Sequence, residues 1–120
     1  RGTAQPAENG AELSVSPCFD LTAAPAGDFT LTVAQGVELV YTEADRTCVL
    51  RFTDPAMADG RTERRVQLNA PCRSLRVVGD RSSLEIFLNE GAAVFSTRYY
   101  PAPEEVSLKM RGAEGTVYSL

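Results

Sequence analysis

The sequence predicts an all-β protein, folded as an antiparallel two-sheet β-sandwich of about ten strands. Short runs of alternating apolar and polar residues recur along the chain, which is typical of strands with one buried face. Turn-forming residues separate these runs, as at 26–28, 35–36 and 59–60. The only helical segment expected is a single turn at 55–58, so the pattern argues against alternating strands and helices.

The predicted strands are identified by their apolar positions in chain order. Residues 1–11 precede them and show no apolar period, so they are interpreted as a linker or frayed N-terminus, and the sandwich is expected to span residues 12–120. The runs contain Leu13 and Val15; Phe29, Leu31 and Val33; Val37, Leu39 and Tyr41; Val49, Leu50 and Phe52; Val66 and Leu68; Leu75 and Val77; Leu84, Ile86 and Leu88; Ala93, Phe95 and Thr97; Val106, Leu108 and Met110; and Val117 with Leu120.

The seventh and eighth of these strands form a predicted hairpin, whose register follows from the segregation of its two faces. A four-residue connection at 89–92 places Ile86 opposite Phe95 and groups the polar residues on the other face. A three-residue loop would instead place Glu85 opposite Phe95 and mix polar with apolar side chains. The four-residue connection is therefore favoured, with Gly91 suited to a positive φ in the turn.

Composition limits the classes of protein to which the chain can belong. Its 120 residues fit one domain, and a hydrophobic content of 43% with 23% charged residues is ordinary for a folded globular protein. No stretch approaches the roughly 18 apolar residues of a membrane helix, so no membrane partner is expected. The net charge of −4 argues against a nucleic-acid partner.

An arginine cluster between residues 61 and 81 leaves two interpretations open. The residues could serve an anionic or carbohydrate partner or a docking face, but they are more often solvated strand residues with buried alkyl stems, and this second interpretation is favoured. The six members are Arg61, Arg64, Arg65, Arg73, Arg76 and Arg81.

The residues that several kinds of catalytic site require are missing. The chain has no His and no Trp, which excludes a Ser-His-Asp triad and removes the commonest general base and sugar-stacking side chain. Cys18, Cys48 and Cys72 match no metal or redox spacing. They are expected to be small buried side chains in a reducing compartment, with one disulfide plus one free thiol as the alternative. No catalytic, cofactor-binding or metal-ligating residue is therefore assigned, and no cofactor is expected.

Asp80 and Glu85 are the one pair of carboxylates worth testing, because glycoside hydrolysis needs only two. A structural role is favoured for both. Asp80 is expected at a strand junction, where an Asp commonly bonds nearby backbone donors. Glu85 is expected on the same face as Arg98, close enough for a direct or water-mediated ion pair.

Residues 75–101 have a distinctive amino-acid sequence. It runs through Asp80-Arg81-Ser82-Ser83-Leu84-Glu85-Ile86-Phe87-Leu88-Asn89, then Gly91, then Ser96-Thr97-Arg98-Tyr99-Tyr100-Pro101. The segment resembles the closing hairpin of the C-terminal β-sandwich in glycoside hydrolase family 32, the family of invertases, sucrose-6-phosphate hydrolases and fructanases. Gly79 departs from the large apolar residue that is usual there. The structural signature comprises Asp80, Ser82, Ser83, Glu85, Phe87, Asn89, Gly91, Arg98 and Pro101.

The resemblance implies a non-catalytic module of a retaining β-fructofuranosidase of the sucrose-6-phosphate hydrolase type. The family's catalytic motifs, Asn-Asp-Pro, Arg-Asp-Pro and Glu-Cys, belong to its propeller and do not occur in this sequence. The implied partner is that catalytic propeller, which the module docks on and stabilises, with Tyr99 and Tyr100 as the candidate interface. A homo-oligomer and a bacterial cytoplasmic location are further expectations, with secretion as the alternative location. The competing hypotheses are an independent carbohydrate-binding sandwich and a small hydrolase acting through Asp80 and Glu85.

Overall fold

The computed structural model describes residues 3–34, 36–53, 63–98 and 106–119, which form twelve strands in two six-stranded antiparallel sheets. Sheet I has the order β1-β12-β3-β8-β9-β10 and sheet II the order β2-β11-β4-β5-β6-β7. These residues contain no helix. The strands are β1 Thr3–Ala7, β2 Glu12–Val15, β3 Cys18–Ala23, β4 Phe29–Val33, β5 Val37–Thr42, β6 Thr47–Phe52, β7 Glu63–Gln67, β8 Leu75–Asp80, β9 Ser83–Leu88, β10 Ala93–Arg98, β11 Val106–Arg111 and β12 Gly115–Ser119.

The hydrophobic core lies between the two sheets and is built from the alternating apolar positions. In β4, for example, Phe29, Leu31 and Val33 are buried while the threonines between them are half-exposed. Full burial of one such side chain stabilises the fold by roughly 1.5–3 kcal/mol. The largest fully buried side chains are Tyr41, Phe19, Leu21, Leu31, Leu39, Leu50, Leu75, Leu84, Ile86, Leu88 and Val33.

The predicted register of the hairpin is confirmed. Ile86 pairs with Phe95 and Glu85 pairs with Ser96, as the four-residue connection requires. In the turn itself, Asn89 (φ 51°), Glu90 (φ 59°) and Gly91 (φ 97°) all lie in the positive-φ region. Asn tolerates this conformation well, whereas it is uncommon for Glu.

Two strands were missing from the prediction, so the count of about ten is corrected to twelve among the described residues. The interpretation of residues 1–11 as a linker or frayed terminus is wrong for Thr3–Ala7, which pairs along its length with β12 at the edge of sheet I. The other missing strand, β3, buries Phe19 and Leu21 at alternate positions. Its period-two pattern was therefore present in the sequence. The helical turn expected at 55–58 and the turn at 59–60 lie outside the described residues.

Candidate functional site

Five of the signature residues, Asp80, Ser83, Glu85, Phe87 and Arg98, lie on three neighbouring strands of sheet I. In β9, Ser83, Glu85 and Phe87 alternate with the buried Leu84, Ile86 and Leu88, so they point away from the core. Asp80 ends the neighbouring strand β8 and Arg98 ends β10 on the other side. We call this outer surface of β8, β9 and β10 the signature face. Tyr99, Tyr100 and Pro101 follow it but lie outside the described residues.

Asp80 is exposed and takes part in two local bonds at the end of β8. Its Oδ1 accepts a hydrogen bond from the half-buried thiol of Cys18 at 3.7 Å. The main-chain carbonyl of Asp80 accepts a hydrogen bond from the N–H of Ser82 at 2.6 Å, and the expected bond from a backbone donor to the Asp80 side chain stays a prediction. The first contact joins β8 to β3, and the second lies within the β8–β9 turn.

Glu85 and Arg98 share the signature face, as the sequence predicted. Glu85 lies opposite Ser96, and Arg98 lies opposite Ser83, so the two charged residues are diagonal neighbours. Both side chains are exposed. The ion pair between them stays a prediction.

Asp80 and Glu85 are also diagonal neighbours, because Asp80 pairs with Ser83 and Glu85 pairs with Val78. Both are exposed on the outer surface of a sheet. Glycoside hydrolysis instead requires two carboxyl groups held at a set separation on either side of a bound sugar. The geometry therefore favours the structural interpretation over the small hydrolase.

Asn89 holds the β9–β10 turn against the loop that precedes β8. Its Oδ1 accepts hydrogen bonds from the backbone N–H groups of Arg73 (2.8 Å) and Ser74 (3.3 Å), and its Nδ2 donates to the Pro71 carbonyl (3.0 Å). The main-chain N–H of Asn89 donates to the Ser74 carbonyl at 2.8 Å. Sequence reasoning assigned Asn89 only to the turn, because no local pattern reveals a partner some fifteen residues upstream.

A polar network connects the same loop to sheet II. The hydroxyl of Tyr41 accepts a hydrogen bond from the buried N–H of Cys72 (2.9 Å) and donates to Oε1 of Glu43 (2.8 Å). Arg73 binds both oxygens of Glu43, at 3.1 and 2.7 Å. The hydrogen bonds from Arg73 and then Tyr41 lower the pKa of Glu43 to about 2, while burial raises the pKa of Tyr41. The sequence carried no signal for this network, since its members are isolated residues on different segments.

The arginine cluster is largely engaged within the molecule. Arg64 Nη1 donates to the Ser96 carbonyl at 2.5 Å and thereby joins the edge strands β7 and β10. Arg76 binds Asp20 through two hydrogen bonds, of 3.0 and 2.7 Å, on the outer face of sheet I. Arg65 contacts Glu63 at 3.0 Å, and Arg73 contacts Glu43 as described. These bonds support the interpretation of the cluster as solvated strand residues. Arg61 lies outside the described residues.

All three cysteines are free thiols. Cys48 and Cys72 are fully buried, as expected for small apolar side chains, and burial raises the pKa of Cys48 to about 12. Cys18 is only half-buried. The alternative of one disulfide plus one free thiol is not the arrangement in this structure.

Metal-ion clusters and membrane-spanning helices are both absent from residues 3–34, 36–53, 63–98 and 106–119. No group of three or more His, Cys, Asp or Glu side chains there could hold a metal ion. In the same residues, no helix is long and apolar enough to cross a membrane.

Comparison with known proteins gives a match along almost the whole chain. The model of the family described as glycosyl hydrolases family 32 C terminal matches residues 3–120. Sucrose-6-phosphate hydrolase of Escherichia coli is 30% identical over 110 residues, which are 90% of this chain and 23% of that relative. The chain therefore spans about a quarter of the length of this curated relative.

Solved structures share the fold at lower sequence identity. A GH32 β-fructofuranosidase of Bombyx mori superposes with a TM-score of 0.75 and 18% identity, covering 99% of this chain and 26% of that one. Sheep galectin-11, solved in complex with glycerol, superposes with a TM-score of 0.59 and 14% identity, covering 94% of this chain and 96% of the galectin. At these identities, the similarities establish the two-sheet sandwich alone.

Proposed function

The chain belongs to the family of C-terminal domains of family 32 glycosyl hydrolases, and on this premise we propose that it docks on and stabilises the catalytic propeller of a retaining β-fructofuranosidase. The observation that carries the proposal is the match over residues 3–120 to a domain that makes up about a quarter of its relatives. The module would span residues 3–120, because β1 is part of sheet I. It has no catalytic role in this proposal.

The name of the Escherichia coli relative indicates the substrate class that we propose for the whole enzyme. Sucrose 6-phosphate is the first candidate, and sucrose and fructans are the others. We extend the proposal to a cytoplasmic location in a bacterium, the setting expected for a hydrolase of a phosphorylated sugar. Tyr99 and Tyr100 remain the proposed candidates for the interface with the propeller. A homo-oligomer is a further part of the proposal.

The full-length product of the gene that encodes this chain provides the test. We expect a catalytic domain upstream of Arg1, with Asn-Asp-Pro and Glu-Cys motifs and hydrolysis of sucrose or its 6-phosphate. A variant truncated before Thr3 should retain these motifs but unfold at a lower temperature, and adding the isolated chain in trans should restore part of the difference. A gene that encodes no catalytic domain would refute the proposal, as would a truncated enzyme of unchanged stability.

An independent carbohydrate-binding sandwich is the second candidate. A recess on the outer face of sheet I is lined by Phe87 beside hydroxyl and charged groups, including Thr22, Arg76 and Glu90. Aromatic rings flanked by polar groups are common in ligand sites. Calorimetric titration of the isolated chain with sucrose and with fructans separates carbohydrate binding from docking, because a docking module should bind neither sugar.

A further inference from the structure

We propose that Asn9 is a site of spontaneous deamidation, which the folded structure restrains through hydrogen bonds and which releases the edge strand β1 once the product isomerises. Asn9 and Gly10 lie in the crossover, residues 8–11, which connects β1 of sheet I to β2 of sheet II. The reaction needs only water, so it is independent of the proposed function.

The dipeptide Asn9-Gly10 has the composition that most favours cyclisation of an asparagine side chain. In this reaction the backbone nitrogen of the following residue attacks the side-chain carbonyl carbon. A glycine at that position offers no Cβ to hinder the attack and adopts conformations that other residues rarely reach, as at Gly10 (φ 83°). The other asparagines, Asn69 and Asn89, are followed by residues that carry side chains. Asn9 and Gly10 are both exposed, so water reaches them.

The reaction proceeds in two steps. The nitrogen of Gly10 forms a bond to Cγ of Asn9 and the Cγ–Nδ2 bond breaks, so that Nδ2 leaves as ammonia with the proton that Gly10 loses. Water then opens the resulting succinimide ring and supplies the oxygen of a new carboxylate. Opening at Cγ gives Asp at position 9, whereas opening at the main-chain carbonyl gives isoaspartate, in which the polypeptide runs through the former side chain.

Hydrogen bonds in the folded protein hold both reacting groups apart. The N–H of Gly10 donates to the carbonyl of Met110 at 2.6 Å, and Oδ1 of Asn9 accepts from the N–H of Gly112 at 3.0 Å. The N–H of Asn9 also donates to Oε2 of Glu114 at 3.5 Å. The attacking nitrogen and the amide under attack are therefore bonded to β11 and the turn after it, and not to each other.

The partners of the crossover are themselves fixed. Met110 is buried and pairs with Leu31 of β4. Gly112 has a φ of 85°, and a Cβ built there would overlap the carbonyl oxygen of Asp28, so this turn lies directly against the chain before β4. Cyclisation consequently requires the crossover to move away from them. Segments at the edge of a domain open at a lower free energy than its core, so opening is local.

The isoaspartate product is incompatible with the observed strand pairing. It inserts one carbon into the main chain at Asn9, which forms a bridge with Met110 only two residues after Ala7 pairs with Gly115. The lengthened segment cannot keep both pairings, so β1 separates from β12 and the buried Ala7 becomes exposed. The Asp product keeps the length of the chain and a carboxylate that can accept from the Gly112 N–H.

Incubation of the full-length gene product at neutral pH, followed by peptide mapping with mass spectrometry, tests the restraint. We expect Asn9 to be the fastest of the three asparagines to deamidate in the urea-unfolded protein. In the folded protein its rate should be at least about tenfold lower. The rate should rise with urea concentrations below the main unfolding transition, because only the crossover has to open. Asn9→Gln is the control, since a glutamine must close a larger ring and reacts much more slowly.

Three results would overturn this part of the proposal. Slow reaction of Asn9 in the unfolded protein would refute the site. Equal rates in the folded and unfolded protein would refute the restraint by the crossover. A rate that rises only with global unfolding would refute local opening.

Hydrogen exchange tests the release of β1. The isoaspartate form is separated chromatographically from the unmodified protein and compared with Asn9→Asp. We expect the backbone amides of β1 and β12 to exchange at least about tenfold faster in the isoaspartate form and close to the wild-type rate in Asn9→Asp, while the amides of β5 stay unchanged in both. Wild-type exchange in the isoaspartate form would refute the release of β1. Equally fast exchange in Asn9→Asp would assign the effect to the new charge instead of the lengthened chain.

Discussion

The ring of Phe19 in β3 covers Gly79, which lies directly opposite it in β8. A Cβ atom at Gly79 would overlap the ring atoms Cε2, Cδ2 and Cζ of Phe19. Both residues are buried on the inner side of sheet I. Phe19 therefore fills, from the neighbouring strand, the volume that a side chain at position 79 would otherwise occupy.

Substitutions that move side-chain volume from position 19 to position 79 should have strongly non-additive effects on the free energy of unfolding. Phe19→Ala alone is expected to destabilise the protein by about 3–5 kcal/mol through a cavity, and Gly79→Leu alone by about 1–3 kcal/mol or more through overpacking. The double variant should be more stable than the sum of the two changes predicts, by about 1–3 kcal/mol, because one side chain fills the space left by the other. Urea unfolding measures the free energy of each protein.

Gly27→Ala is the control for this cycle, because no atom lies within 4 Å of a Cβ built there. Its free energy of unfolding should change by no more than about 0.5 kcal/mol. Additive effects of Phe19→Ala and Gly79→Leu would show that the two positions do not share one volume.

Asn89→Ala should destabilise the sandwich by about 1–3 kcal/mol, because it removes three side-chain hydrogen bonds to the loop before β8. Glu90→Ala is the matched control, since Glu90 also has a positive φ, at 59°. It should change the free energy of unfolding by about 0.5 kcal/mol or less. Equal effects of the two substitutions in chemical unfolding would refute the role assigned to the Asn89 amide.

Glu43 should make stability depend on pH in the acid range. Its pKa is lowered from 4.5 to about 2 in the folded protein, so its contribution is fully present above pH 4.5 and is lost as pH falls through about 2. We therefore expect wild type to be more stable than Glu43→Gln at pH 5 and this difference to shrink toward pH 2. Thermal unfolding across this range measures it.

Removing the partner of Glu43 supplies the control for the pH experiment. Arg73→Met should remove the larger part of the same pH dependence, because the hydrogen bonds from Arg73 are the main cause of the lowered pKa. If Arg73→Met retains the wild-type pH profile, the acid sensitivity originates elsewhere in the molecule.

The chain by itself should not hydrolyse sucrose, sucrose 6-phosphate or inulin. Asp80 and Glu85 are exposed on an open strand face, so Asp80→Asn and Glu85→Gln should change stability by about 1 kcal/mol or less and affect no turnover. Release of fructose, measured with the full-length gene product as positive control, checks this expectation. Turnover by the isolated chain that disappears in either variant would establish a catalytic role.

Much of the fold could be predicted because the alternation of apolar and polar residues within a short segment identifies a strand and its buried face. The alternation of Leu84, Ile86 and Leu88 with polar residues determined a strand, its buried face and, with its partner strand, the register. β1 was missed since its residues have no clear apolar alternation, and it is held by pairing with β12 at the other end of the chain. The sequence of an edge strand need not show the pattern of a strand buried on one face.

The sequence by itself determined the all-β class, the hairpin register and the family resemblance. All three depend on the periodicity of apolar side chains or on sequence motifs within short segments. Only the tertiary structure decided the partners of Asn89 and Tyr41 and the fit of Phe19 over Gly79. Tyr41 and the Cys72 N–H are 31 residues apart in the chain, and Phe19 and Gly79 are brought together by strand order. Such contacts arise from the packing of segments that are distant in the chain, and no periodic pattern in a single sequence predicts them.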